Sequence, residues 1–185
     1  MSVVLSRVDN RLVHGQVLEA WIPKLDVTTV LVVDDGVAGD PLRQTIMEIA
    51  VPARIDCRFV RVDELKETLD KTEAQNQRIM VLFSGIRDVR DVLRMGVPLE
   101  RINIGNVHYQ KGKKRITPHV SLDDDETAWL MEIQRRALVE IQSLPDDPHL
   151  RFPDVLEKTE EAVGDSQAKG KWWGRFRSKL GMKRD

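Results

Sequence analysis

Two stretches leave this chain little choice of fold. Val27 to Val33 (Val-Thr-Thr-Val-Leu-Val-Val) and Ile79 to Phe83 (Ile-Met-Val-Leu-Phe) are apolar or β-branched throughout. A strand with one wet face alternates, whereas a strand apolar on both faces must be covered on both. The sequence therefore predicts a parallel sheet between layers of helix. Asp40-Pro41 supplies an N-cap and a first-turn proline for one helix, whose apolar stripe is Leu42, Ile46 and Ile49. Ile55 to Val62 alternates more and reads as a strand nearer the sheet edge. Asp63 then caps a short helix through Leu65 and Leu69, and Lys71 to Gln77 reads as a polar, solvated stretch. Val89, Val92 and Leu93 mark a helix that Gly96 stops. Ile102 to Gly105 is a fifth strand. Past the basic turn Lys111-Gly-Lys-Lys-Arg115, Ile116 to Val120 reads as a short strand, placed at an edge by Pro118. Asp123 and Glu126 have capping-box spacing before a helix that buries Trp129, Leu130, Ile133 and Ala137. Leu138 to Gln142 is the last strand, and Pro145-Asp-Asp-Pro148 closes the compact part. The expected fold class is α/β: an open, mostly parallel twisted sheet with helices on both faces, a short antiparallel edge and a C-terminal helical and basic tail.

At 185 residues the chain suits one domain, 1–150, with an appendage, 151–185. The net charge of -1 gives no reason to expect nucleic acid. Cys57, the one cysteine, excludes an intramolecular disulfide, fits a reducing cytosol and reads as a small core residue. No window approaches the ~18 apolar residues of a membrane span, and the chain starts on a strand without a basic leader and apolar stretch. A cytoplasmic protein is expected. In the appendage, Phe152 to Val163 reads as an acidic, charge-laced helix and Gly164 to Gly170 as a linker. The closing stretch interleaves Trp172, Trp173, Phe176 and Leu180 with Lys169, Lys171, Arg175, Arg177, Lys179, Lys183 and Arg184. Such a segment suits an anionic membrane interface, or equally a floppy basic tail or one whose aromatics dock on the domain.

The chemistry concentrates in Arg7-Val-Asp-Asn-Arg-Leu-Val-His14-Gly-Gln16. It lies between the apolar run Val3 to Leu5 and the helical pattern Val17, Leu18, Trp21, Ile22. A strand thus feeds a loop, and the loop feeds a helix with His14 at its start. Free N–H groups and a partial positive charge at a helix start favour a neutral imidazole and would receive a phosphoryl group placed on it. Arg7 and Arg11 offer forked donors to its oxygens. Asp9 offers an acceptor that fixes the tautomer, and Gly15 leaves room for close approach. The reading is a phosphoryl-carrying histidine. The same residues also read as an ordinary helix start with a surface Arg–Asp pair. Ligands of parallel sheets sit beyond the carboxyl ends of the strands. The loops Asp34-Asp35, Ser84-Gly85 and Gly105-Asn106 with His108 are therefore expected on the same edge as His14. No glycine-rich nucleotide loop, metal-ligand cluster or nucleophile elbow is present in the sequence. No metal or other cofactor is expected.

The stretch Arg7-Val-Asp-Asn-Arg-Leu-Val-His-Gly-Gln-Val17 resembles the active-site signature of the IIB component of mannose/sorbose-family sugar phosphotransferase systems (PTS). The resemblance continues through Val32-Val-Asp-Asp-Gly-Val-Ala-Gly-Asp-Pro-Leu-Arg-Gln44, Ile102-Asn-Ile-Gly-Asn106, Lys111-Gly-Lys113 and the Val120-Ser-Leu-Asp123 helix start, covering about the first 150 residues. It implies a protein-Nπ-phosphohistidine–sugar phosphotransferase. His14 would accept phosphate from a IIA component and pass it to a sugar imported through membrane-embedded IIC and IID, with Arg11 steadying the phosphoryl group and Asp9 orienting the loop. Arg7, Gly15, Gln16, Asp35, Ser84 and Gly85 complete the expected phosphate and substrate loops. Gly105-Asn106 stands where family members often have paired glycines, and Phe83-Ser-Gly-Ile86 where their loop is threonine-rich. A homodimer, and contact of residues 169–184 with an anionic membrane, are further expectations. The alternatives are a regulatory phosphohistidine protein uncoupled from sugar transport, and an anion-binding module without turnover.

Overall fold

The computed structural model describes residues 3–73 and 77–156. Its core is a seven-stranded sheet in the order β3-β2-β4-β1-β5-β8-β9. The strands are β1 (Val3–Asp9), β2 (Thr29–Val33), β3 (Asp56–Val60), β4 (Ile79–Phe83), β5 (Arg101–Asn106), β8 (Leu138–Ile141) and β9 (Leu150–Arg151). All neighbours are parallel except β9, which runs antiparallel to β8 at the edge. The two stretches that dictated a covered sheet are β2 and β4, and every residue of both is buried. The more alternating β3 lies at the opposite edge, as its pattern predicts.

Side chains alternate between two cores. Leu31, Val33, Val81, Phe83, Ile102 and Ile104 face one core with α4 (Leu65–Glu73), α5 (Ile86–Arg94) and α6 (Asp124–Ile133). Val30, Val32, Met80 and Leu82 face the other. There they meet α1, the helix at residues 15–24, with α2 (Asp35–Ala38) and one side of α3 (Pro41–Ala50). Helices cover both faces, so the expected fold class holds. Asp40 caps α3 through Leu42 N–H and Arg43 N–H, and Asp123 and Glu126 form the anticipated capping box on α6.

Several local readings need correction. The stripe of α3 faces outward, with Leu42 70%, Ile46 61% and Ile49 81% exposed. Only Met47 of this helix leans on the core. Asp63 lies inside a 3-10 turn, Val62–Glu64, that leads into α4, and α4 carries Lys71 to Glu73 as helix. Ile116 to Val120 is not a strand. A separate hairpin pairs β6 (Lys114–Arg115) with β7 (Ser121–Leu122), and the segment between them bends. The compact part also continues past Pro148. β9 pairs with β8, and Phe152, Val155 and Leu156 are buried in the core that α5 and α6 also line. The expected continuation of the acidic helix beyond Leu156, the expected linker and the basic aromatic segment 169–184 lie outside the described residues.

Candidate functional site

β1 occupies the middle of the sheet between β4 and β5. The helix after β1 packs on one face, while α5 and α6, which follow β4 and β5, pack on the other. A crevice therefore opens at the carboxyl end of β1, where ligands of such sheets bind. His14 stands at that opening, immediately before the helix at residues 15–24. Its carbonyl accepts from Val17 N–H and Leu18 N–H, each at 3.0 Å. Its side chain is 15% exposed. The loop leading to it turns at Leu12, whose φ of 55 places a buried leucine in the left-handed region.

One carboxylate organises the site. Asp9 is fully enclosed at the end of β1. Its Oδ2 lies 3.0 Å from His14 Nε2 and accepts from Arg7 Nη2 at 3.0 Å. Its Oδ1 accepts from Arg11 Nε at 3.1 Å and from Arg11 N–H at 3.2 Å. Burial alone would raise this carboxyl. Hydrogen bonds from His14 and Arg11 and the charge of Arg7 outweigh burial and hold it far below the usual carboxylate range. Asp9 is thus a permanent anion under the imidazole.

The two arginines separate. Arg11 is half-exposed, and its Nη2 reaches Gln16 Oε1 at 3.0 Å across the mouth of the site. Arg7 is wholly buried, so the forked contact expected from it onto a phosphoryl group is corrected: solvent does not reach it. Its Nη1 donates to Asn103 Oδ1 at 2.6 Å and to Gln142 O at 3.0 Å, and its Nη2 also donates to Ser143 O at 3.2 Å. The guanidinium lies 5.1 Å from the centroid of the Trp21 ring. It passes over Gly105, where any Cβ would overlap it. Burial lowers the Arg7 pKa against the opposing pull of Asp9. Arg7 is a counter-ion beneath the site.

The other expected residues divide. Gly15 is exposed with nothing near the position of a Cβ, which leaves open approach to His14. Asp35 follows β2, two strands from β1. Its Oδ1 accepts from Val62 N–H at 2.9 Å, on the far side of β4. The Ser84 hydroxyl donates to Asp88 Oδ2 at 3.3 Å, and Gly85 caps α5. Burial, together with the charges of Asp34, Asp35 and Asp91, pushes Asp88 up to about 6 against the Ser84 hydrogen bond. The Ser84-Gly85 turn therefore adjoins acids. Burial likewise pushes the Cys57 thiol up to about 12, which leaves it unreactive.

Three supporting residues have no role in the sequence reading: Asn10, Asn103 and Gln142. Asn10 donates its N–H to Asn106 O at 3.1 Å and Nδ2 to Ser84 O at 2.6 Å, and its Oδ1 accepts from His108 N–H at 2.6 Å. It joins the ends of β1, β4 and β5. The signal for Asn103 was its polarity inside the otherwise apolar run Ile102 to Ile104. Among the described residues no group of His, Cys, Asp and Glu is fit to hold a metal, and no helix is long and apolar enough to cross a membrane.

Fold and site together define an open α/β domain with a histidine at the sheet's crevice, backed by a buried carboxylate and two arginines. The chain belongs to the family described as PTS system sorbose subfamily IIB component, which matches residues 3–167. It is 32% identical over 165 residues to the sorbose-specific EIIB component of Lacticaseibacillus casei, covering 89% of this chain and 99% of that one. It is 36% identical over 149 residues to N-acetylgalactosamine-specific phosphotransferase enzyme IIB component 2 of Escherichia coli K12, covering 80% and 94%. The crystal structure of the IIBSor domain of the Klebsiella pneumoniae sorbose permease superposes with a TM-score of 0.80 at 27% identity, covering 86% of this chain and 98% of that one. The relatives are described as sugar-specific components of such systems, the N-acetylgalactosamine-specific one as a phosphotransferase enzyme.

Proposed function

We propose that His14 takes a phosphoryl group on Nδ1 from a phosphohistidine of a IIA component and hands it to a sugar arriving through membrane IIC and IID components. One observation carries the reading: Asp9 Oδ2 lies 3.0 Å from His14 Nε2. An enclosed, ionised carboxylate requires a proton on Nε2, so the lone pair and the nucleophilicity fall to Nδ1. As the Nδ1–P bond forms and the donor's N–P bond breaks, the ring gains positive charge that Asp9 offsets. Arg11 and the first-turn N–H groups of the helix at residues 15–24 steady the phosphoryl oxygens. In the second transfer a sugar hydroxyl oxygen bonds to phosphorus, the Nδ1–P bond breaks and the hydroxyl proton leaves to a base.

Incubation with phosphorylated IIA and mapping of the label tests this reading. Label on His14, absent from His14→Ala, is the expected result, with nitrogen-15 NMR assigning it to Nδ1. Label elsewhere, or on Nε2, rejects it. We further propose that the chain works at the inner face of the membrane beside its permease and that residues 169–184 meet anionic headgroups there, rather than hanging free or docking on the domain. Deleting residues after Gly170 should then reduce binding to anionic vesicles, and salt should weaken what the full chain retains.

A further inference from the structure

The basic turn that the sequence marks at Lys111 to Arg115 takes no part in the site just described, yet it rises from the same edge. β5 ends at Asn106, whose cross-strand neighbour is Asp9. The next residues leave the sheet. Val107 pairs with Val120, and within the loop that leaves there β6 turns back to pair with β7, which directly follows Val120. Its base is tied to the histidine loop, because His108 N–H donates to Asn10 Oδ1 at 2.6 Å.

The hairpin is braced from inside. Lys113 Nζ meets Glu126 Oε1 at 2.6 Å with both side chains nearly enclosed, and Glu126 also accepts from Asp123 N–H in the cap of α6. Gly112, with φ 98, makes the tight turn that leads into β6, closed by Lys113 N–H donating to Gln110 O at 3.0 Å. Lys113 therefore points inward. His108, Lys111, Lys114, Arg115 and His119 are exposed, and Tyr109 is 61% exposed. The opposite flank of the edge, beyond β4, carries Asp34, Asp35 and Asp88. The edge around His14 is thus cationic and aromatic on one flank and acidic on the other.

We propose that the β6–β7 hairpin is a docking arm for the phosphoryl donor protein, gripping an acidic surface beside that protein's phosphohistidine. The inference rests on the proposed function and adds a recognition element to it. Exposed tyrosine with arginine is the composition of interface anchors, and exposed lysines at a rim raise the rate of encounter with an acidic face. The Asn10–His108 hydrogen bond fixes the arm relative to Asp9 and hence to His14. Whatever the arm grips is held against the imidazole, a geometry that suits a protein bringing phosphorus to that ring. The brace at Lys113 keeps the arm from folding away.

The test follows transfer of label from phosphorylated IIA to the full chain at low salt. Lys111→Glu combined with Arg115→Glu should raise KM at least ~10-fold while kcat is kept, and the gap should close at ~1 M salt, where charges are screened within ~3 Å. Lys111→Gln with Arg115→Gln should give a smaller shift of the same sign, and Tyr109→Ala should raise KM at both salt concentrations. Arg54→Glu, an exposed charge ahead of β3 at the other end of the sheet, serves as the control and should change nothing. Unchanged KM in the hairpin variants overturns the proposal. So does loss of anionic-vesicle binding with KM preserved, which would make the arm a lipid contact. If the unaltered chain takes no label on His14, the functional reading itself fails and the arm falls with it. Labelled wild type with indifferent hairpin variants removes the arm alone.

Discussion

Gly105 lies directly beneath the guanidinium of Arg7, and the space a Cβ would need is already filled by that group. A buried cation here depends on a missing side chain one strand away. Gly105→Ala should displace Arg7 from Asn103, Gln142 and Asp9 together. Breaking a buried ion pair of this kind costs about 3–5 kcal/mol. Denaturant unfolding should show the loss, and label uptake on His14 should fall with it. A variant of native stability would mean that the guanidinium has another place to go.

The two arginines should respond differently to the same substitution. Arg7→Ala removes a buried charge and should lower stability and labelling together. Arg11 is half-exposed and bonds only within the loop. Arg11→Ala should cost clearly less stability than Arg7→Ala, because its guanidinium is half-exposed and water can replace its contacts to Asp9, while the rate of phosphoryl uptake drops. Paired melts and labelling time courses separate the two roles.

Asp9→Asn keeps the shape of the carboxylate and discards its charge. The tautomer of His14 is no longer imposed, and uptake should fall by about 10²-fold or more. The acid limb should change too. The folded-state pKa of Asp9 is depressed, so its contribution is complete above the unfolded value of about 4 and is lost as pH falls below it. Wild type should shed stability below about pH 4, and the Asp9→Asn profile should be flatter there.

Asp88 has the opposite sign. Its folded pKa is raised to about 6, so between about pH 4 and pH 6 the native state binds more protons than the unfolded chain. Stability falls as pH rises through that window. Asp88→Asn should therefore stabilise the protein at pH 8 and do little at pH 4. Solvent screening of this partly exposed carboxyl limits the gain to about 1–2 kcal/mol. Melts at the two pH values decide the matter.

Leu42, Ile46 and Ile49 form a helical stripe without burying it. Replacing all three with glutamine should leave stability nearly unchanged, because exposed positions contribute within about 0.5 kcal/mol each. Urea unfolding is the check, and a drop of several kcal/mol would place that stripe against a covering surface.

Much of the fold was legible because its signals are local. Apolar runs declared β2 and β4, and cap spacing declared α3 and α6, since each depends on residues within one turn or one strand. His14, Asp9 and Arg11 were legible for the same reason, lying within one loop. What escaped depends on strand order. Arg7 reads as a surface partner of Asp9 until β5 and β8 close over it with Asn103, Gln142 and Ser143. That Asp35 follows a strand separated from β1 by β4 is likewise set by strand order. The outward stripe of α3 shows the same limit, because periodicity reports that a helix has an apolar side and not which neighbour covers it. β9 escaped because two residues are too few to carry a pattern.

Leu12 holds a backbone conformation that costs a non-glycine residue about 1–3 kcal/mol, and it does so with its side chain sunk in the apolar interior. Glycine would relax the turn but leave a hole, and no residue does both jobs. Any displacement of the loop backbone towards a visitor would have to drag that leucine into water. The histidine therefore behaves as a fixed mooring post: the traffic that comes and goes must be the other molecules, each arriving in turn at a berth that does not move.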